Sequence, residues 1–254
     1  MKNEVIKVSN LAIGYGDKTI LKDINFSVYE GEILFIMGGS GTGKTTLLKS
    51  LIGLVKPQVG EIIINNKNIL EVSSNEKREI LRTIGVTFQE GALFSSLSIG
   101  ENISLLLEEY TALGKSEIKK TVTHRLSLVG LEDFVDYYPS EISGGMKKRA
   151  SLARALALYP KILFFDEPSA GLDPITSAEL DRLILKLGKE LDITIVVVSH
   201  ELDSAYAIAD RLIILGKENK GIAEINKPKD IFYTTKNEWV KKFLTRDGLT
   251  RKLI

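Results

Sequence analysis

The chain has 254 residues, 44% of them hydrophobic, which is enough for one large domain or two lobes. Its 34 basic and 33 acidic residues leave a net charge of +1, which argues against a protein that binds the backbone of nucleic acid. The chain has no cysteine for disulfides or thiolate metal sites, only two histidines for a zinc site, and no apolar run near the roughly 18 residues that span a bilayer.

Short strands and a glycine-rich loop dominate the first quarter of the chain. Apolar segments alternate with turns over Val5–Val28, which predicts antiparallel strands. Ile33–Met37 predicts a buried strand, and apolar residues at helical spacing from Thr45 predict a helix that ends before Pro57. A further strand is predicted at Ile62–Ile64.

Residues 90–160 have mostly helical periodicity, and strand–helix–strand alternation follows. The helical segments are Ile103–Tyr110, Ile118–Val129 and Lys147–Leu158, followed by strand Ile162–Phe165, helix Ser177–Leu191 and strand Ile193–Val198. This order predicts an α/β protein with a mostly parallel sheet, flanking helices, an N-terminal antiparallel β subdomain and an inserted helical subdomain.

Residues 38–45 fit the pattern G-x-x-x-x-G-K-[ST] between a predicted strand and a predicted helix. Backbone N–H groups and the helix N-terminus favour phosphate there, Lys44 adds a full charge, and Thr45 offers a hydroxyl to Mg²⁺. The alternative is a glycine-rich turn without a ligand. The predicted phosphate-binding residues are Gly38, Gly39, Ser40, Gly41, Thr42, Gly43, Lys44, Thr45 and Thr46.

Two acidic residues, Asp166 and Glu167, directly follow the apolar strand Ile162–Phe165. Ligands of open parallel sheets bind at the carboxyl ends of strands, where Asp166 can hold Mg²⁺ and Glu167 can orient an attacking water. The alternative is a solvated acidic turn before Pro168. Together with the phosphate loop, this strand end predicts a site for nucleotide hydrolysis.

The segment Glu141–Arg149 resembles the signature of ATP-binding cassette (ABC) ATPases, and the resemblance extends along nearly the whole chain. It implies a P-loop NTPase fold of the ABC nucleotide-binding type, with ATP and Mg²⁺ as cofactors. Tyr15 matches the aromatic residue that stacks on adenine, and Gln89 matches the glutamine that contacts Mg²⁺ and the nucleophilic water. Asp173 matches the loop that crosses to the other subunit, and His200 the histidine that touches the γ-phosphate.

These residues also have simpler interpretations. Tyr15 could be a surface aromatic residue, Gln89 a polar residue at a strand end, and His200 a histidine at the entry to a helix. The resemblance favours catalytic roles for Gln89 and His200 beside Glu167.

Ser143, Gly144 and Gly145 precede a predicted helix, and Ser143 could simply cap it. In ABC ATPases the same helix N-terminus faces the γ-phosphate held by another subunit. The resemblance therefore implies a homodimer in which two head-to-tail chains enclose ATP at two equivalent sites.

Three local sequences, Phe88–Phe94, Gly171–Thr176 and the signature with Met146, resemble the ATPase of bacterial MCE-type phospholipid transporters. This resemblance implies transmembrane permease subunits, an MCE lipid-binding protein and, in several such systems, a STAS-domain protein. We expect a cytoplasmic protein on the inner face of the cell membrane, because the N-terminus has no secretory segment.

The expected organisation is one ABC ATPase domain over 1–254. Residues 1–89 and 160–240 are expected to form the catalytic core lobe, 90–159 the helical subdomain and 241–254 a C-terminal tail.

The segment after Gln89 is a candidate groove for a permease helix. Ala92, Leu93, Phe94 and Leu97 could line the groove or could belong to the ordinary core.

Two other functions stay open from the sequence. One is the ATPase of a different transporter, such as a small-solute importer. The other is a cassette of DNA repair or translation. Repair cassettes insert long coiled coils between the phosphate loop and the signature, whereas here 143 − 44 = 99 positions without sustained heptads separate Lys44 from Ser143. Translation cassettes usually occur as two in one chain, whereas one is recognised here.

Overall fold

A computed structural model of the protein describes residues 3–245. Two compact units make up these residues: unit 1 contains the chain up to Ile80 and from Thr194 onward, and unit 2 contains Leu81–Ile193. The predicted functional division into a core lobe, a helical subdomain over 90–159 and a tail stays a prediction. Residues 246–254 of that tail lie outside the described residues.

The elements are numbered in chain order. The strands are β1 (Glu4–Tyr15), β2 (Lys18–Tyr29), β3 (Ile33–Gly38), β4 (Val59–Ile64), β5 (Lys67–Asn68), β6 (Ile84–Thr87), β7 (Ile162–Asp166), β8 (Thr194–Val198), β9 (Arg211–Gly216) and β10 (Gly221–Asn226). The helices are α1 (Lys44–Leu51), α2 (Ser74–Arg82), α3 (Ile99–Tyr110), α4 (Lys115–Ser127), α5 (Gly144–Ala155), α6 (Pro174–Glu190), α7 (Leu202–Ile208), α8 (Pro228–Thr234) and α9 (Glu238–Thr245).

Unit 1 contains an antiparallel sheet and a group of mainly parallel strands. The antiparallel sheet has the order β2-β1-β4-β5, and β1 and β2 form a hairpin in which Val8 lies opposite Phe26. In the other group, of order β10-β9-β3-β8, β3 runs parallel to both β8 and β9, whereas β10 is antiparallel to β9. The predicted antiparallel N-terminal strands and the later parallel strands are thus confirmed.

Strands β3 and β8 are buried along their whole length. Their uninterrupted apolar sequences are typical of strands that are covered on both faces. Because Ile36 pairs with Val198 in a parallel register, the segments that follow the two strands emerge at the same edge. The glycine-rich loop and His200 are these two segments.

Unit 2 contains the parallel pair β6 and β7, together with α3, α4 and α5. Thr87 lies opposite Phe165, so the chain leaves both strands at one edge. Helix α3 begins at a capping box, in which the Ser98 side chain accepts from the Glu101 N–H and the Glu101 side chain accepts from the Ser98 N–H. Helix α5 begins after Ser143, whose side chain also caps the helix.

Helix boundaries differ from the predicted ones by a few residues. The helix predicted to start at Thr45 and end before Pro57 begins at Lys44 and ends at Leu51, because the chain turns at Gly53, which has a positive φ of 72°. The helix predicted from Ser177 begins at Pro174, because Asp173 caps it and proline is well suited to the first helical turn.

Candidate functional site

The glycine-rich loop connects β3 to α1 within unit 1. Gly43 has φ 96°, and a Cβ atom there would lie 2.8 Å from Ile20 Cγ2 and 3.0 Å from Leu21 Cγ. Both the backbone conformation and the packing against β2 therefore require glycine at this position. The loop delivers the chain to the N-terminus of α1, where backbone N–H groups favour an anion.

Lys44 folds back over the loop from the first turn of α1. Its Nζ donates to the carbonyl oxygen of Gly38 at 3.0 Å and to that of Gly39 at 3.4 Å. Thr42 strengthens the loop because its hydroxyl donates to the same Gly39 oxygen at 2.9 Å. The ammonium is thus held at the mouth of a loop whose conformation is fixed by the chain itself.

A cavity of about 580 Å³ lies beside this loop in unit 1. Tyr15, at the end of β1, lines it and is 57% exposed as a residue, so its ring is available to a ligand. The residues that line the cavity are Tyr15, Lys18, Thr19, Ile20, Gly41, Thr42, Gly43, Lys44, Thr45, Thr46, Gly216, Lys217 and Lys220. The structure thus brings Tyr15 together with six of the predicted phosphate-binding residues, those at 41–46.

Sequence reasoning missed three lysines of this cavity: Lys18, Lys217 and Lys220. Lys18 begins β2, and the other two lie in the turn between β9 and β10, where Lys220 Nζ donates to the Thr19 carbonyl at 3.2 Å. Thr19 and Lys220 are about 200 positions apart, and no local sequence pattern predicts a contact over that separation. With Lys44, these lysines give the cavity a basic lining suited to a triphosphate.

His200 follows β8, on the edge where the glycine-rich loop follows β3. The preceding residue, Ser199, is buried, and its hydroxyl accepts a hydrogen bond from the Glu201 N–H at 3.0 Å. The His200 side chain is exposed, and its Nε2 lies 3.3 Å from Glu201 Oε1. A histidine in this position can contact a ligand at the sheet edge.

In unit 2, the acidic strand end and Gln89 lie at the ends of adjacent strands. Asp166 is the buried last residue of β7, and Glu167 follows with a left-handed φ of 49°, which is unusual for a non-glycine residue. Gln89 comes two residues after β6 and is exposed. Strained backbone at a strand end is common in functional sites, and the three predicted residues share one edge here.

Lys148 of α5 reaches the same region of unit 2. Its Nζ donates to the Gln89 carbonyl oxygen. Burial lowers the pKa of the Lys148 ammonium, whereas the carboxylates of Glu90, Asp166 and Glu167 act in the opposite direction. Sequence reasoning assigned no role to Lys148, because the sequence does not reveal which side chain of α5 faces the strand ends.

The segment Ser143–Gly145 is the open N-terminus of α5. Ser143 is exposed, and its Oγ accepts from the Met146 N–H at 3.2 Å, so the predicted capping interaction is present. A Cβ atom at Gly144 would meet nothing within 4 Å, whereas one at Gly145 would lie 2.9 Å from Thr176 Cγ2. Within unit 2, the segment therefore leaves one face open and packs its other face near α6.

Asp173 caps α6 beside this segment. One carboxylate oxygen accepts from the N–H groups of Ile175 at 3.0 Å and Thr176 at 3.1 Å, and the other accepts from the Thr176 hydroxyl at 2.6 Å. These hydrogen bonds, that from the Thr176 hydroxyl foremost, lower the pKa of Asp173. The side chain is thus used within its own helix, and its predicted place in a contact with a second subunit stays a prediction.

The residues predicted to hold Mg²⁺ have suitable donor chemistry. Thr45 supplies a hydroxyl in unit 1, while Gln89 supplies an amide oxygen and Asp166 a buried carboxylate in unit 2. Hard oxygen donors of these types are those that Mg²⁺ prefers. The residues present therefore fit the predicted ion.

Over the described residues, none of the helices is both long and apolar enough to cross a bilayer.

The chain is similar to a known protein family, to characterised proteins and to solved structures. Residues 21–170 match the family model described as "ABC transporter". The chain is 40% identical over 239 residues to the probable ribonucleotide transport ATP-binding protein Mkl of Mycobacterium tuberculosis H37Rv, covering 94% of this chain and 66% of that protein. It thus spans slightly less than two thirds of the length of that relative.

Two further relatives are nearer in length to this chain. The intermembrane phospholipid transport system ATP-binding protein MlaF of Haemophilus influenzae is 41% identical over 224 residues, covering 88% of this chain and 84% of that protein. The glutamine transport ATP-binding protein GlnQ of Geobacillus stearothermophilus is 38% identical over 236 residues, with coverages of 91% and 94%.

A similar solved structure is the dimeric post-hydrolysis state of the ATP-binding cassette MJ0796 with bound ADP and phosphate. Its TM-score is 0.79 at 33% sequence identity, and the match covers 88% of this chain and 98% of that one. The fold predicted from the sequence is therefore confirmed.

Proposed function

The chain belongs to the ABC transporter family, whose cassettes bind ATP with Mg²⁺ and hydrolyse it, and we propose that it powers a transporter of phospholipid between the inner and outer membranes. The observation that carries the ATPase function is the phosphate loop, with Lys44 held over its carbonyl oxygens beside a lysine-lined cavity. The lipid substrate is supported by the similarity to MlaF and by the three local sequences at Phe88–Phe94, Met146 and Gly171–Thr176.

ATP binding is assigned to unit 1. Tyr15 stacks its exposed ring on adenine, while the backbone of 38–46 and the Lys44 ammonium bind the phosphate groups. Because Gly43 and Lys44 are fixed by the chain's own packing and hydrogen bonds, little reorganisation accompanies phosphate binding.

Hydrolysis is assigned to residues at the strand ends. Glu167 orients and polarises the attacking water, Gln89 helps to position that water, and His200 contacts the γ-phosphate. Thr45, Gln89 and Asp166 would hold Mg²⁺, which when bound neutralises charge on the phosphate oxygens.

The signature segment is assigned to a second copy of the chain. Ser143 and Gly144 are exposed, and their helix N-terminus offers N–H groups to an anion from outside unit 2. A head-to-tail homodimer would place Ser143, Gly144 and Gly145, with Asp173 nearby, against the ATP of the partner subunit. The dimeric state of the MJ0796 cassette supports this arrangement.

Transmembrane permease subunits are the proposed partners of the segment after Gln89, and they would hold the protein at the cytoplasmic face of the inner membrane. Ala92 and Phe94 are exposed and Leu93 and Leu97 are half-buried, so these residues can line a docking groove. An MCE lipid-binding protein, and a STAS-domain protein as in several related systems, would complete the complex.

A small-solute importer is the second candidate function. The 38% identity to GlnQ along most of both chains supports it. Transporters of different substrates share the ATP site, so that site does not distinguish the two candidates.

Purification of the tagged chain from solubilised membranes, followed by mass spectrometry of proteins and lipids, separates the two candidates. The proposal expects a permease, an MCE protein and bound phospholipid. A periplasmic solute-binding protein with a solute permease, and no MCE protein, would contradict the lipid assignment and support the importer. Purification from cells that express an untagged chain provides the control.

A further inference from the structure

Three donors on one face of α5 bind three backbone carbonyls of the segment after β6. The pairs are Lys148 Nζ with the Gln89 oxygen, Ser151 Oγ with the Gly91 oxygen at 2.7 Å, and Arg154 Nη1 with the Ala92 oxygen at 3.1 Å. Residues three apart on a helix lie on the same face, so these side chains form a continuous row. We call Lys148, Ser151 and Arg154 the donor row.

The segment 89–94 has an irregular backbone that depends on such external donors. Gly91 and Ala92 have left-handed φ values of 81° and 50°, and within the turn the Gly91 N–H donates to the Phe88 carbonyl at 2.8 Å. At its far end, the side chain of Asn102 accepts from the Phe94 N–H at 2.8 Å and donates to the Phe94 carbonyl at 3.1 Å. The donor row fixes the part of the segment that contains Gln89.

We infer that Lys148, Ser151 and Arg154 are positioning residues that hold Gln89 in place by fixing the backbone of 89–92 to the helix that begins at Ser143. The inference rests on the proposed function, because it takes Gln89 as a residue of the hydrolysis site. The donor row acts on the reaction through the segment that it holds, and Lys148 acts also through its charge. Displacement of this segment by a docked permease would be transmitted to α5.

Lys148 is the member of the row that also carries charge toward the acidic strand end. Its ammonium interacts with the carboxylates of Glu90, Asp166 and Glu167. Ser151 lacks such a charge, and the guanidinium of Arg154 lies over the Phe94 ring, 5.3 Å from its centroid. Lys148→Met keeps most of the apolar stem and removes the donor and the charge, whereas Lys148→Arg keeps both.

Amide hydrogen exchange of the nucleotide-free full chain tests the positioning role without relying on catalysis. Lys148→Met should speed exchange in peptides covering 88–97 by about 5-fold or more, because a charge-assisted hydrogen bond that holds the segment is lost. Ser151→Ala should act in the same direction, since it removes a buried hydrogen bond. Lys148→Arg should exchange at the wild-type rate.

ATP turnover gives the second readout. Lys148→Met should lower kcat about 10-fold while KM for ATP changes less than about 3-fold, because Gln89 is misplaced and the phosphate loop is untouched. Lys148→Arg should recover most of the lost kcat. Lys120→Met, at an exposed lysine of α4, is the matched control and should behave as wild type.

Unchanged exchange over 88–97 in both Lys148→Met and Ser151→Ala would overturn the inference. Equal loss of kcat in Lys148→Met and Lys148→Arg would do the same, because it would indicate general disruption of α5. If the wild-type chain hydrolyses no ATP, the proposed function fails, and the exchange rates alone decide whether the donor row holds the segment.

Discussion

The two glycine-rich segments, 38–43 in unit 1 and 143–145 in unit 2, use glycine for different physical reasons. Gly43 has a left-handed backbone and no space for a Cβ atom, so the phosphate loop is specified by packing within its own unit. Gly144 lies in a helix, without a positive φ, and its missing Cβ would face open space. The comparison indicates that packing within unit 1 requires glycine at Gly43, whereas no neighbouring side chain within unit 2 requires it at Gly144.

The sharpest test of this difference separates turnover from dimer formation. Glu167→Gln should lower turnover at least about 100-fold, because a carboxylate that positions water is lost, while both glycine-rich segments stay intact. This variant should therefore accumulate an ATP-stabilised dimer, which light scattering would detect. Phosphate release measures the loss of turnover.

Ser143→Arg in the Glu167→Gln background provides the matched comparison. The bulky cation should abolish the ATP-dependent dimer while ATP affinity of the monomer stays near the parent value. A dimer that persists in the double variant would contradict the assignment of the signature to a partner subunit. Turnover near the wild-type rate in Glu167→Gln alone would show that another residue positions the water.

Matched alanine substitutions at the two glycines should give the next largest effects. Gly43→Ala should lower the free energy of unfolding by about 2 kcal/mol or more, from left-handed strain and overlap with Ile20, and should weaken ATP binding. Gly144→Ala should leave stability unchanged or raise it by about 0.5 kcal/mol, because alanine favours a helix. Urea unfolding measures both.

Equal destabilisation by the two alanines would break the comparison, since it would mean that the signature glycine is also fixed by its own unit. Loss of the ATP-dependent dimer in Gly144→Ala, without loss of stability, would strengthen the comparison. That outcome would mean that the contact with the partner subunit, and not the fold of unit 2, requires glycine at 144.

The aromatic residue of the cavity offers a smaller effect that is confined to unit 1. Tyr15→Ala should weaken ATP binding about 10-fold, within the range that base–aromatic stacking supports. Tyr15→Phe should bind as wild type because it keeps the ring. Intrinsic fluorescence can follow binding, since the one tryptophan of the chain, Trp239, lies 3.9 Å from the position that a Cβ of Gly39 would take. Unchanged affinity in Tyr15→Ala would make Tyr15 an ordinary surface residue.

Local patterns in the sequence were sufficient to predict the phosphate loop and the acidic strand end. A buried strand, a glycine-rich turn and a helix start lie within about fifteen residues of one another around Gly38, so their geometry follows from short-range rules. The resemblance to ABC ATPases added Tyr15 and His200, and the structure places Tyr15 in the cavity and His200 at the edge of the same strands.

Contacts between distant segments could not be predicted from periodicity. Lys217 and Lys220 reach the cavity because β9 pairs with β3, and Lys148 reaches Gln89 because one particular face of α5 is turned toward the segment after β6. Helix α1 ends before Pro57 as predicted, but Pro57 alone does not give the exact end at Leu51, because the turn at Gly53 comes first.

The smallest expected effect concerns the negative charge of Asp173, which stabilises the N-terminus of α6 next to the signature segment. Asp173 caps α6 beside Gly145, and its pKa is lowered by the Thr176 hydroxyl and by backbone N–H groups. A carboxyl with a lowered folded-state pKa stabilises the fold above its unfolded pKa, about 3.9, and this stability is lost as pH falls through the folded value.

Asp173→Asn should therefore reduce the thermal midpoint slightly at neutral pH, and the difference from wild type should shrink as the pH falls below about 4. Asparagine can still cap the helix, so the variant isolates the charge from the cap itself. Calorimetry from pH 3 to pH 7, values that bracket the aspartate range at about 3.9, measures the difference. Asp173 does not line the unit 1 cavity, so the ATP affinity of the monomer should be unchanged by this substitution. A constant difference in midpoint at every pH would mean that side-chain shape, and not charge, supports this end of α6.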